Sequence, residues 1–244
     1  MLREFGIDGV YVTHALKGYE IQEEWVKNLF GKNGLEFEFV TEGDPSLFTD
    51  EVLSRYFIPD IRRNLSDGIL SATLNHILCY ERIARARNKY ALVFENDPFF
   101  LGNFNEHIER VAREAQSLDE GFMISLENTT LTFPSRKVTR KGRYLYEARR
   151  GRCAGAYLMD LKAARDILED LKTNKCPTVI DWWHNQLIER GVVRMYWAHP
   201  PFVEQGSHNG KMSATISTRA RGLRRQIAWQ AQKLYKTHVL RRFR

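Results

Sequence analysis

The sequence predicts an α/β fold: a Rossmann-type sandwich with a mostly parallel central sheet, followed by a basic helical tail. Three observations carry that prediction. Short β-branched and aromatic runs bounded by turn chemistry, Tyr90 to Phe94 being the clearest, read as buried strands. Segments with apolar residues at helical spacing separate them, and strand–helix alternation implies a sheet covered by helices. Charge also collects at one end: from residue 219 onward, "RARGLRRQIAWQAQKLYKTHVLRRFR" holds nine of the chain's 37 Lys and Arg and none of its 30 Asp and Glu.

The elements follow in order. "DGVYVTHAL" reads as a first strand, and "YEIQEEWVKNLFGKNG" as a helix with Ile21, Trp25, Val26, Leu29 and Phe30 on one side before a Gly stop. "LEFEFVTEGD" alternates like a strand, and residues 45–64 suggest short helical pieces. "ILSATLNHILCYERIARARNKY" is a long helix leading into the strand at Tyr90. "FNEHIERVAREAQSL" is helical and "GFMISL" a buried strand. The base-rich stretch 129–150 looks like a surface hairpin or mobile loop. After it come the strand "CAGAYLMD", the helices "LKAARDILEDL" and "VIDWWHNQLIERG", and the strand "VVRMYW". The division predicted is a body, residues 1–218, and a basic amphipathic helix, residues 219–244.

Composition narrows the function classes. A chain of 244 residues, 43% hydrophobic, can bury a substantial core. No apolar run is long enough to span a bilayer, and the first residues lack the order of a signal peptide, so the expected location is the cytoplasm. Cys79, Cys153 and Cys176 form no C-x-x-C pair and read as buried small apolar residues rather than a zinc site. The net charge of +7 lies in the tail, since the first 218 residues hold 28 bases against 30 acids. Nucleic acid is therefore not the expected partner of the body.

The stretch "KYALVFENDPFF" ends its apolar run on Glu95, Asn96 and Asp97. If the strand period continues, Glu95 and Asp97 share one face and Asn96 looks the other way. Strand ends are where α/β sheets place ligands. Hard oxygen ligands there suit Mg²⁺ or Mn²⁺ binding a diphosphate through one or two carboxylates. The plainer reading is that Asn-Asp-Pro is good turn chemistry with solvated acids.

The segment "ATLNHILCYERIARARNKYALVFENDPFF" resembles glycosyltransferase family 25, the lipooligosaccharide galactosyltransferase-like proteins, in which a Ser-His helix leads to a strand ending Glu-Asp-Asp. "GAYLMDLKAARDIL", "PTVIDWW" and "PPFVEQGSHNGKMSATI" resemble its later blocks in the same order, so the likeness covers roughly residues 8–218. Departures are Asn96 for the central acid, Ser71-Ala72 for Gly-Cys, Asn75-His76 for Ser-His, and no basic pair after the first strand in "THALKGYE".

What the resemblance implies is a GT-A-like hexosyltransferase. It would move galactose from UDP-galactose, with inversion, to a sugar hydroxyl of a lipopolysaccharide or lipooligosaccharide acceptor. Asp97, helped by Glu95 and His208, would hold Mn²⁺ or Mg²⁺; Glu95, Asp97, His76, Gln205, Ser213 and Gly155 would bind the UDP-sugar donor. Asp181 is the expected general base, with Glu127 in reserve and Trp182 and Trp183 offering flat faces to a sugar ring. Each has a plainer counterpart: Asp181 as a helix N-cap, the tryptophans as packing, His76 as a structural helical histidine, His208 as part of a solvated loop, Gly155 as a packing glycine. The tail is expected to lie on an anionic membrane surface, on the inner face of the inner membrane, near a lipid-linked oligosaccharide acceptor, with Leu223, Ile227, Ala231, Leu234 and Tyr235 on one side. The competing class is an inactive scaffold binding nucleic acid or membrane through its basic tail.

Overall fold

The computed structural model describes residues 2–212, 222–239 and 241. Its strands are β1 (Ile7–Thr13), β2 (Glu38–Val40), β3 (Tyr90–Phe94), β4 (Pro98–Phe100), β5 (Phe122–Ser125), β6 (Leu145–Ala148), β7 (Ala156–Asp160), β8 (Arg194–Ala198) and β9 (Val203–Gln205). Its helices are α1 (Glu20–Lys32), α2 (Asp50–Tyr56), α3 (Asp67–Ala86), α4 (Phe104–Ala115), α5 (Leu161–Thr173), α6 (Ile180–Glu189), α7 (Gly206–Asn209) and α8 (Leu223–His238). Nearly every expected element is present. Residues 129–150 do not form a hairpin of their own: β6 pairs with β8, and Leu131 and Phe133 are buried.

Among the described residues seven strands form one sheet in the order β2-β1-β3-β7-β5-β8-β6. It is mixed rather than mostly parallel. β1 runs parallel to β2 and β3, and β5 to β8, but β7 is antiparallel to both β3 and β5, and β6 to β8. The reason lies between β5 and β7. Parallel neighbours need a crossover, usually a helix, and this stretch contains β6 and loops but no helix. The chain therefore re-enters the sheet at the carboxyl end of β3, where Ala156 pairs with Phe94.

Strand alternation sends side chains to two cores. Ala91, Val93, Tyr157 and Met159 face α3, α5 and α6, while Leu92, Phe94, Ala156 and Leu158 face α1 and α4. α5 illustrates how local sequence sets an element. Asp160 ends β7 and caps the helix by accepting from Ala163 N–H at 2.8 Å, and it also accepts from Gly121 N–H at 2.7 Å. Cys79 and Cys176 are buried free thiols, as expected, and Cys153 is partly buried. β4 and β9 form a separate antiparallel ribbon with Pro98 opposite Gln205, so the segment after Asp97 and the late segment "VEQGSH" are laced together.

Candidate active site

β1, β2, β3, β5 and β8 point the same way, and a cleft of about 400 Å³ opens at the carboxyl edge of β1 and β3. Its walls are the ends of those strands, the amino-terminal turns of α3, residues 179–181 at the start of α6, and Gln205, Ser207 and His208. Glu95 and Asp97, Asp181, and Gln205 and His208, from three stretches far apart in sequence, all line it.

Glu95 follows the last residue of β3. Its N–H donates to Gly155 O at 3.0 Å, and its Oε2 accepts from Gln205 Nε2 at 2.5 Å. Burial pushes its carboxyl up to about 7, moderated by the Gln205 bond. Asp97 is buried; its Oδ2 accepts from Ser207 N–H at 2.7 Å, while Oδ1 has no partner among the described residues. Burial first, and then the neighbouring charge of Glu95, raises it to about 6. Asp181 is likewise raised to about 6 by burial and then by Glu95, and its Oδ1 is also unpartnered. It is not the N-cap of α6, a position held by Val179. Burial thus disfavours ionisation of all three carboxylates, the charge of Glu95 adds to the effect on Asp97 and Asp181, and two buried carboxylate oxygens have no hydrogen-bond partner among the described residues. That donor set suits a divalent cation held by two carboxylates together with substrate oxygens. No group of three or more His, Cys, Asp or Glu among the described residues is arranged to hold a metal by itself.

Asn96 does not look away. Residues 95–97 lie outside β3, so the two-residue period stops at Phe94. Asn96 lines the cleft and its Nδ2 donates to His14 Nδ1 at 3.1 Å. Burial lowers the pKa of His14 and favours the neutral ring that can accept this bond. Asn75 braces the same wall, accepting from Gly43 N–H at 2.8 Å and donating to His14 O at 2.9 Å.

His76 is fully buried behind Glu95. Its Nδ1 lies 2.8 Å from Tyr157 Oη and its Nε2 3.7 Å from Glu95 Oε1, and burial lowers its pKa to about 4. It therefore backs the cleft as a neutral ring. Gly155 has a specific job: a Cβ there would sit 2.3 Å from Gln205 Cδ, so the glycine admits Gln205. Neither tryptophan is among the described residues lining the cleft. Trp183 packs in the core and Trp182 is 67% exposed elsewhere, while Tyr19 supplies an aromatic ring. Ser213 lies outside the described residues.

Glu127 is fully buried and does not reach the cleft. Its Oε1 accepts from Gly155 N–H at 2.9 Å and its Oε2 contacts Thr129 Oγ1, which also contacts Gln205 Oε1 at 2.7 Å. Thr129 has one proton for two acceptors. The conflict resolves if Glu127 is protonated and donates to Thr129, which then donates to Gln205; burial does push Glu127 upward, against the opposing charge of the buried Arg152. A chain Glu127–Thr129–Gln205 so orients the amide that holds Glu95. Glu127→Gln, which preserves both contacts, is expected to keep kcat/KM within about threefold, whereas Thr129→Val should lower it about tenfold. Steady-state rates decide this, and a loss beyond roughly a hundredfold in Glu127→Gln would return Glu127 to the role of base.

His14, Tyr19 and Thr129 escaped sequence reading. His14 carried a usable signal, since it directly follows β1 at a ligand-facing strand end.

A search of curated proteins gives no match. A solved structure described as "Crystal Structure of A197 from STIV" is similar at 12% identity over 78% of this chain and 81% of that chain, with a TM-score of 0.38. The model of glycosyltransferase family 25, described as LPS biosynthesis protein, matches residues 16–182, a span that includes Glu95, Asp97 and Asp181. With more than half its length matched, the chain belongs to glycosyltransferase family 25.

Proposed function

We propose that this glycosyltransferase moves galactose from UDP-galactose, with inversion, to a sugar hydroxyl of a lipid-linked lipopolysaccharide or lipooligosaccharide acceptor. The observation that carries the reading is the convergence of Glu95, Asp97 and Asp181 on one cleft, with two buried carboxylate oxygens unpartnered among the described residues. Asp97 and Glu95 are the residues to hold Mn²⁺ or Mg²⁺, with His208 on the same rim. Such a cation supplies Lewis-acid neutralisation of the departing diphosphate.

Asp181, on the same cleft, serves as the base. It takes the acceptor hydroxyl's proton as that oxygen bonds to the anomeric carbon, while the bond from that carbon to the diphosphate oxygen breaks and its electron pair leaves with the nucleotide. A pKa raised to about 6 keeps the carboxylate ionised at neutral pH yet basic enough to accept the proton. Gln205 fixes Glu95, and Asn96 with His14 presents a neutral wall to the donor.

The test is release of free nucleotide from a panel of sugar nucleotides with Mn²⁺, repeated in excess EDTA. UDP-galactose is expected to turn over fastest, and only with the cation. Equal turnover in EDTA removes the metal role. No turnover of any donor, together with steep salt-dependent RNA binding, favours the scaffold reading instead.

A further inference from the structure

We propose that α8 and the adjoining basic loop form a docking surface for an anionic lipid bilayer. The helix is mounted with its apolar stripe outward. Toward the body it turns Arg225, whose Nε donates to His208 O at 3.3 Å, and Gln226, whose Nε2 donates to Gly210 O at 3.1 Å. Lys233 pairs with the buried Glu204 at 2.7 Å, and Lys236 donates to Thr130 O at 3.2 Å. Trp229 packs on Leu131 and Phe133 and is only 8% exposed, so it is not an interfacial anchor. Left in solvent are Ile227 (61% exposed), Leu234 (59%), Tyr235 (54%) and Val239 (41%), with Ala231 on the same line. A surface helix ordinarily buries such a stripe.

The surroundings are basic. Arg136, Lys137, Arg140 and Lys141 are exposed on the loop beside the helix, with Val138 among them at 52% exposure. Arg241 joins the two parts: its Nε donates to Pro134 O at 2.8 Å, and burial first, then the charge of Arg136, lowers its pKa. Helix α8 contains no acid. A second copy of the chain fits poorly, because a two-fold contact would set this positive patch against itself. An anionic leaflet supplies the opposite charge to the bases and an apolar layer for the stripe. No described helix is long and apolar enough to cross a membrane, so the contact is with the surface. Helix α8 also touches α7, which carries Ser207 and His208, so docking brings the cleft rim close to the lipid.

The experiment is co-sedimentation of the full chain with phosphatidylglycerol-containing vesicles and with pure phosphatidylcholine vesicles. Preference for the anionic vesicles is expected, and both Ile227→Asp/Leu234→Asp and Arg136→Glu/Lys137→Glu should weaken binding at least about tenfold, with unchanged circular dichroism. Equal sedimentation with neutral vesicles overturns the proposal, as does binding unaffected by both pairs. A solution dimer that Ile227→Asp/Leu234→Asp dissolves, without vesicle binding, overturns it in favour of a second copy. Sedimentation needs no turnover, so failure of the transferase reading leaves this result standing on its own.

Discussion

Asp97→Asn is expected to abolish transfer, by about 10³-fold or more in kcat/KM, and at the same time to make the substrate-free protein more stable at pH 8. The two effects share one cause. Asp97 is a buried carboxylate with one oxygen unpartnered among the described residues and Glu95 beside it, so its charge is poorly compensated in the substrate-free protein; in the proposed reaction a cation would supply the compensation. Its folded pKa, about 6, lies above its ordinary value of 3.8. A raised pKa means that the stability contribution is complete below about pH 4 and is lost as pH rises through 6. Asparagine does not titrate and keeps an acceptor for Ser207 N–H, which alanine would leave unpaired. The variant should therefore match the wild type in thermal unfolding near pH 4 and exceed it at pH 8 by about 1–3 kcal/mol, or roughly 2–8 °C. Excess Mn²⁺ should narrow that gap by stabilising only the wild type. Scanning calorimetry at the two pH values reads it; a variant less stable at pH 8 would mean that the carboxylate is structural.

Asp181→Asn should lower acceptor-dependent turnover by roughly 10²–10⁴-fold and leave nucleotide affinity within a few-fold. The amide keeps the shape and can still accept from the Ala154 N–H, so α6 should stay in place. Because Val179 rather than Asp181 caps α6, loss of the charge removes no capping bond. Titration calorimetry with the nucleotide beside acceptor-dependent rates separates the effects. An unchanged rate would show that the proton goes elsewhere, and a matching loss of nucleotide affinity would place Asp181 on the donor instead.

Much of the fold was legible because short-range chemistry dictates it. The run Tyr90 to Phe94, the cap at Asp160 and the spacing in α4 leave little choice of local structure. The direction of β7 was not legible, because nothing in "CAGAYLMD" records from which edge a strand enters a sheet. The outer acids were readable from their place at a strand end, but Asn96 was misdirected by carrying strand alternation past Phe94, the last paired residue. Glu127 and Asp181 look alike in sequence, each an acid beside an apolar run. What separates them is long-range: Glu127 is sealed in by Gly155, Thr129 and Gln205, residues up to 78 positions away, and Asp181 is not. Trp182 and Trp183 make the same point, since a single helical step of about 100° decides which enters the core.

Gly155 and Gln205 occupy a single volume between them. The backbone at position 155 needs no left-handed conformation, so any residue could adopt it; what forbids a side chain there is that the glutamine already fills the space. The two positions are thus one unit of variation. A chain that enlarges the first must shorten the second, and it then gives up the amide that grips Glu95. In related sequences a residue larger than glycine at 155 should travel with the loss of Gln205, and chains carrying that exchange must orient their strand-end glutamate by other means.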